Sequence, residues 1–418
     1  MNSEYNYLID TTKKFKTIEI FFLISLPSQS INQRSFKLLP SLLYQCCQNF
    51  DNVQELENTL ETMYGATLLY HTFRINSEET IFFQLTIPNQ DFTEKNLVIK
   101  AINILENIVF NSKIEFNSYS EEIFNLAKND LYTEILNIHS NKLLYSISKL
   151  SEYMNNQQHR SYTNFIKPNE IKKITRNDIN DLYHQIKKDG KFNLCIIGDL
   201  DVNYLEKNIN KNWNKRNNLN FLNNNEESKI NKDKIHIIKE DTNLNQGILT
   251  FGLQFFNKVN SEANNVISEL IAGGQSSVLY QLLREKNNLT YYINSLVDTN
   301  ENRIYISTII DVKDEDKVIN IVRNAIKNIK KGEITQKEFL YAKKAIINNL
   351  LESLDTPNGN IDKYIQSSKY STEKNYNFLQ KINSLTKNEI TTKIQDCEIT
   401  TIYFLRRGQN ENYFIPKL

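Results

Sequence analysis

The stretch whose reading decides the fold is Ile271-Ala-Gly-Gly-Gln-Ser-Ser-Val-Leu-Tyr-Gln-Leu-Leu-Arg-Glu-Lys-Asn-Asn-Leu-Thr-Tyr-Tyr292. Val266, Ile267 and Leu270 recur at helical spacing just before it, so a helix ends at the paired glycines Gly273 and Gly274. Ser276 or Ser277 is placed to cap a second helix, whose Val278, Leu279, Leu282 and Leu283 share one face. Arg284 falls in the last turn of that helix, where a cation suits the dipole. Tyr291 and Tyr292 open a β-rich run. Each part has an ordinary structural use; the order of the parts is what is specific.

Outward from this stretch, the chain repeats itself. Arg303-Ile-Tyr-Ile-Ser-Thr-Ile-Ile310 reads as a strand, followed by an acidic turn and a helix with Val318, Val322, Ile326 and Ile329 inward. Thr80 to Phe110 has the same order, a strand and then an amphipathic helix, about 220 residues earlier. The long helical region Thr335–Leu354 mirrors Ser118–Leu136. The apolar strand Ile399–Leu405 mirrors Leu194–Ile197. The first half also predicts a buried strand over 15–26, a helix over Gln33–Gln45, and a second helix capped by Asp51 and stopped by Gly65. A hairpin with its turn at Asn76-Ser77 follows.

Bulk composition narrows the function classes. The 418 residues suffice for two cores, and 50 basic against 49 acidic side chains leave a net charge of +1. That balance argues against a dedicated nucleic-acid or anionic-membrane binder, and the 22 tyrosines are scattered rather than interleaved with arginines. Cys46, Cys47, Cys195 and Cys397 form no Cys-x-x-Cys pair and read as buried free thiols of a reducing compartment. The N-terminus lacks the basic-then-apolar order of a signal peptide, and no run approaches the ~20 apolar residues of a membrane span. A cytoplasmic protein without a membrane span is expected. Walker loops, dinucleotide-binding glycines and a Gly-x-Ser-x-Gly elbow are missing.

The run from Gly273 to Tyr291 resembles the C-terminal domain of the pitrilysin/insulinase-type (inverzincin) zinc peptidases, which carries Gly-Gly-x-x-Ser-x-Leu-x-x-x-x-Arg-Glu-Lys-x-x-Leu-x-Tyr. The resemblance implies an α+β fold of two homologous domains, each an antiparallel sheet packed with helices, closing as a clamshell (the LuxS/metallohydrolase-like pitrilysin fold). In that family the Arg and Tyr of the run hold the substrate backbone; here they are Arg284 and Tyr291. The family also opens with His-x-x-Glu-His on a helix. Two histidines four apart share one face and bind zinc, the glutamate acts as base on a zinc-bound water, and a later helix supplies a third carboxylate. This chain lacks that motif. Its histidines are His71, His139, His159, His184 and His236, and the segment in the motif's place reads Lys37-Leu-Leu-Pro-Ser41. The later helix contains Glu134, read as a solvated residue. The pattern is most similar to inactive, non-catalytic bacterial homologues, such as the elongation factor P modification-associated and bacteriocin-processing peptidase-like proteins.

The expected organisation is an N-terminal inactive peptidase-like domain over 1–210, an Asn/Lys-rich linker over 211–233, and a C-terminal domain over 234–418. The expected function is a non-catalytic subunit of a heterodimeric zinc metallopeptidase, in which an active paralogue brings the zinc and this chain binds substrate peptide. The expected substrate-binding residues are Arg284, Tyr291, Gly273 and Gly274, with no metal ligand and no catalytic residue in this chain. The alternative reading is a stand-alone peptide-binding scaffold.

Overall fold

The computed structural model describes residues 4–155, 168–216, 219, 235–368 and 378–408. Most of the Asn/Lys-rich stretch, 217–218 and 220–233, lies outside them, and so does His159.

The first sheet is built from β1 (Glu4–Thr11), β2 (Thr17–Pro27), β3 (Thr67–Ile75), β4 (Glu78–Pro88), β5 (Lys191–Gly198) and β6 (Asn214–Lys215), in the order β3-β4-β2-β5-β1-β6. The second holds β7 (His236–Thr242), β8 (Gly247–Phe255), β9 (Thr290–Asp298), β10 (Arg303–Ile310) and β11 (Cys397–Arg407), in the order β7-β11-β8-β10-β9. Read from the other edge, β9-β10-β8-β11-β7 repeats β3-β4-β2-β5-β1 strand for strand. The directions repeat too: β5 runs parallel to β1 and antiparallel to β2, as β11 does to β7 and β8. The repeat read from the sequence is therefore a duplication of topology. Each sheet is mixed rather than purely antiparallel, because a strand from the start of each half returns beside its last strand in parallel.

The central strands are apolar without alternation because both sheet faces are covered. On β2, Ile20, Phe22 and Ile24 face a layer of helices that includes Gln33–Gln45, Leu97–Phe110 and Arg176–Asp189. Phe21 and Leu23 face the other way, onto Ile361 and Ile365. Helix ends follow local chemistry. Thr175 and Asp178 form a capping box, as do Thr386 and Glu389. The expected cap at Asp51 is displaced by one residue: the Asn52 side chain accepts from the Glu55 amide at 3.1 Å. Tyr64 and Gly65 both take positive φ to end that helix.

Cutting the chain at 211–233 does not reproduce its compact units. One unit comprises Met1–Leu136, Ile166–Asn225 and Glu352–Tyr376; the other comprises Asn137–Phe165, Glu226–Leu351 and Asn377–Leu418. Each half lends one helix to the other half's sheet. Helix Lys142–Met154 buries Ile147, Leu150 and Met154 against Ile248, Tyr305, Tyr403 and Leu405 of the second sheet. Helix Pro357–Ser368 buries Ile361 and Ile365 against Phe21, Leu23, Phe82, Cys195 and Ile197 of the first. Polar contacts fix the first of these helices in place. Ser146 and Thr250 share a hydroxyl hydrogen bond at 2.6 Å, and the Tyr145 and Tyr403 hydroxyls donate to the Glu240 carboxylate at 2.8 and 2.5 Å. Gly252 on β8 lets the helix approach closely, since a Cβ there would overlap the Met154 sulfur. All four cysteines are buried free thiols.

Candidate functional site

The helix Gln33–Gln45 starts at Asn32, whose side chain accepts from the Arg34 amide at 3.2 Å. Lys37 and Ser41, four residues apart, lie on one face of it. Pro40 sits between them in the helix interior and removes one backbone donor. Lys37 feels the carboxylates of Glu79 on β4 and of Glu134 on helix Glu121–Ser140. Burial lowers the Lys37 pKa, and these two carboxylates partly offset that. Glu134, itself exposed, also acts on Tyr70 of β3, as does Asp130; burial raises the Tyr70 phenol while a hydrogen bond from Ser41 opposes the rise. Ser41 accepts from Gln45 Nε2 at 3.0 Å.

This group of side chains does not fit a zinc ion. Lys37 presents a cation, proline has no side-chain donor atom, and a serine hydroxyl is a poor zinc ligand beside Cys, His or a carboxylate. Among the described residues, no three His, Cys, Asp or Glu side chains are grouped so as to hold a metal. Lys37 brings a positive charge near Glu134 and Glu79, but it offers neither an open coordination position nor a base for water.

His71, the next residue on β3, points to the opposite sheet face and stacks on Phe82 with ring centroids 4.4 Å apart. This shielding lowers its pKa, and the Lys37 charge adds to the effect. His139 is lowered as well, chiefly by burial. A folded-state histidine pKa below the unfolded value of ~6.5 stabilises the protein fully above that pH. The unfolded chain binds the extra proton first, so stability declines as pH falls below ~6.5 and levels off below the folded pKa. Chemical denaturation between pH 7.5 and 5 should show this slope, and His71→Gln should flatten part of it.

In the second unit, the helix Ser261–Ala272 ends at Gly273, which has φ −80° and ψ −33°, an ordinary right-handed geometry. The glycine pair is used for space. The Glu269 carboxylate folds over Gly273, and its Oε1 lies 3.1 Å from where a Gly274 Cβ would stand. Burial raises the Glu269 pKa. Ser277 occupies the cap position of the next helix without making a side-chain cap, and its buried hydroxyl has no partner among the described residues. That helix begins at Val278–Tyr280 and widens into a π-helical turn over Gln281–Lys286, so it continues two residues past Arg284.

The structure brings Arg284 and Tyr291 together. Arg284 Nη1 donates to the Tyr291 carbonyl at 3.0 Å, and the guanidinium lies over the rings of Tyr280 and Tyr291 at 5.3 and 5.9 Å. Tyr291 is 73 % exposed, and its hydroxyl has no partner among the described residues. Four of the five guanidinium N–H groups are left without a protein acceptor among those residues, a fork able to meet a carbonyl or carboxylate. Sequence reading missed Tyr280, although its spacing of four from Arg284 was the available signal. It also missed Glu269, which no spacing rule would single out.

Two α+β units of repeated topology, an arginine–tyrosine pair and, among the described residues, no group of side chains placed to hold a metal together define a peptidase-like scaffold. Comparison with known proteins points the same way: the chain is similar to inactive members of the M16 peptidases, the pitrilysin/insulinase type expected above. Residues 173–346 match the family described as the Peptidase M16 inactive domain. Over 403 residues the chain is 24 % identical to a probable inactive metalloprotease, YmfF, of Bacillus subtilis (strain 168), covering 94 % of each chain. A solved structure of a conserved Enterococcus faecalis V583 protein superposes with a TM-score of 0.82 at 20 % identity, covering 97 % of both chains. The peptidase M16 inactive domain of Pseudomonas fluorescens superposes at 0.73, with 15 % identity and 97 % and 96 % coverage. Among the described residues no helix is long and apolar enough to cross a membrane.

Proposed function

We propose that the chain is the non-catalytic, peptide-binding subunit of a heterodimeric zinc peptidase. An active paralogue would bring His-x-x-Glu-His, the zinc ion and the catalytic base, and would process a leader peptide or bacteriocin precursor. The observation that carries this reading is the contrast within the molecule. By the resemblance, Lys37, Pro40 and Ser41 occupy the place of the metal ligands and base, while among the described residues four Arg284 N–H groups and the Tyr291 hydroxyl have no protein partner. Among the described residues the first sheet also ends at β3, whose outer edge has no strand partner and on which Leu69 is 61 % exposed and Tyr70 37 %. Such an edge takes an extended peptide as an added strand.

Arg284 would donate to a substrate carbonyl and the Tyr291 hydroxyl would steady the developing oxyanion. With the active partner present, Arg284→Ala should lose about 2–3 kcal/mol of transition-state stabilisation, roughly 30- to 160-fold in kcat/KM. Wild-type rates in that variant would remove Arg284 from the mechanism. Affinity purification of the tagged chain from its host tests the partnership: an M16 protein with an intact zinc motif should co-elute. Elution of peptides without such a partner would favour the second reading, a stand-alone peptide-binding scaffold.

A further inference from the structure

We propose that a recess beside β3 is a side-chain pocket for one aromatic or large aliphatic residue of an extended peptide paired with the β3 edge; the proposal deepens the peptide-binding reading above and rests on it. The recess lies within the first unit. It has a volume of about 250 Å³ and is walled by His71 and Phe73 of β3, Phe82 and Gln84 of β4, and Ile361 and Ile365 of helix Pro357–Ser368. That volume is below the ~300–1,000 Å³ of sites that enclose a whole small molecule. A single side chain is the matching occupant.

The walls select an apolar one. Phe73 and Phe82 are in ring contact at 5.7 Å, His71 stacks on both, and the two isoleucines form the facing wall. The Gln84 amide is turned to Glu19, donating to its Oε2 at 3.0 Å, and the same oxygen accepts from the Thr86 hydroxyl at 2.6 Å. An acidic side chain would lose its hydration among these apolar walls and is disfavoured.

The occupant's backbone is specified by β3. It is the outermost strand of the first sheet, so its outward N–H and C=O groups have no strand partner among the described residues. Side chains alternate along it. Leu69, His71 and Phe73 share the face that carries the recess, opposite Gln84, Phe82 and Thr80 of β4, whereas Leu68, Tyr70 and Thr72 share the other. A peptide added at this edge sends every second side chain to the recess face, one into the pocket and its next-but-one neighbour beside exposed Leu69.

The test uses the full-length chain and a set of short Thr/Val-rich peptides that differ at one central position, carrying Phe, Leu, Gly or Asp. Fluorescence anisotropy gives affinities, and methyl NMR follows Ile361 and Ile365. The Phe and Leu peptides should bind about tenfold or more tighter than the Gly and Asp peptides and shift both isoleucine methyls. Asn358→Trp, at an exposed lining position, should close the mouth, abolishing the preference while leaving the Gly peptide unchanged. Phe73→Ala should enlarge the recess and move the preference toward a Trp peptide. Equal binding of all peptides, with shifts along β3 and none at Ile361 or Ile365, overturns the pocket and leaves the edge reading standing. No binding by any peptide overturns both.

Discussion

Leu150→Ala destabilises the second unit by about 2–5 kcal/mol, the usual cost of truncating a fully buried leucine. The residue is 0 % exposed and belongs to the first half of the chain, yet its partners are Ile248, Tyr305, Tyr403 and Leu405. The loss should therefore appear far along the sequence. Hydrogen exchange should accelerate in β8, β10 and β11 while β2, β4 and β5 keep their protection. Faster exchange confined to residues 4–136 would show that helix Lys142–Met154 packs on its own half and would refute the exchange of helices.

The variant combining Lys37→His, Pro40→Glu and Ser41→His should acquire stoichiometric zinc, and the parent protein, assayed beside it, should take up none. Two imidazoles four residues apart would share the face now held by Lys37 and Ser41, and Glu134 would supply the third ligand. Removing the Lys37 ammonium also removes the cation that now acts on Glu134. Metal analysis and calorimetry on the purified variant should give an affinity in the micromolar range or tighter. Adding Glu134→Gln should weaken it by more than about tenfold, a loss typical even of groups outside the first coordination sphere. A variant with native circular dichroism and no zinc uptake would place Lys37 and Ser41 out of register with the metalloprotease motif. Whether the refitted site cleaves peptides is a separate question, because a base at residue 40 also needs the substrate held in line.

Much of the architecture was readable from periodicity. The repeat of strand and helix at Thr80–Phe110 and Arg303–Ile329 is the duplicated sheet order seen from inside the chain. What periodicity could not carry was partnership at long range. Helix Lys142–Met154 has an apolar face like its neighbours, and nothing in Ile147, Leu150 and Met154 states which sheet they meet. Gly252 was the one local hint, a small residue in a buried strand. The departure from the zinc motif was legible because it depends on residue type at fixed spacing: lysine, proline and serine at 37, 40 and 41 bring no imidazole and no carboxylate. The link from Lys37 to Glu134 was not legible, since the two lie on separate helices and Glu134 reads as one more solvated glutamate. Likewise, Arg284 and Tyr291 could be paired by resemblance, but the stacking of the guanidinium on Tyr280 needed coordinates.

The loan of helix Pro357–Ser368 to the first sheet has a consequence for synthesis. Phe21, Leu23, Phe82, Cys195 and Ile197 emerge from the ribosome long before Ile361 and Ile365, the residues that cover them. At about 5–20 residues per second, that apolar face waits on the order of ten seconds or more for its cover. The nascent chain is thus a natural client for chaperones through that interval, and the first sheet's commitment to its native packing waits for the helix to emerge.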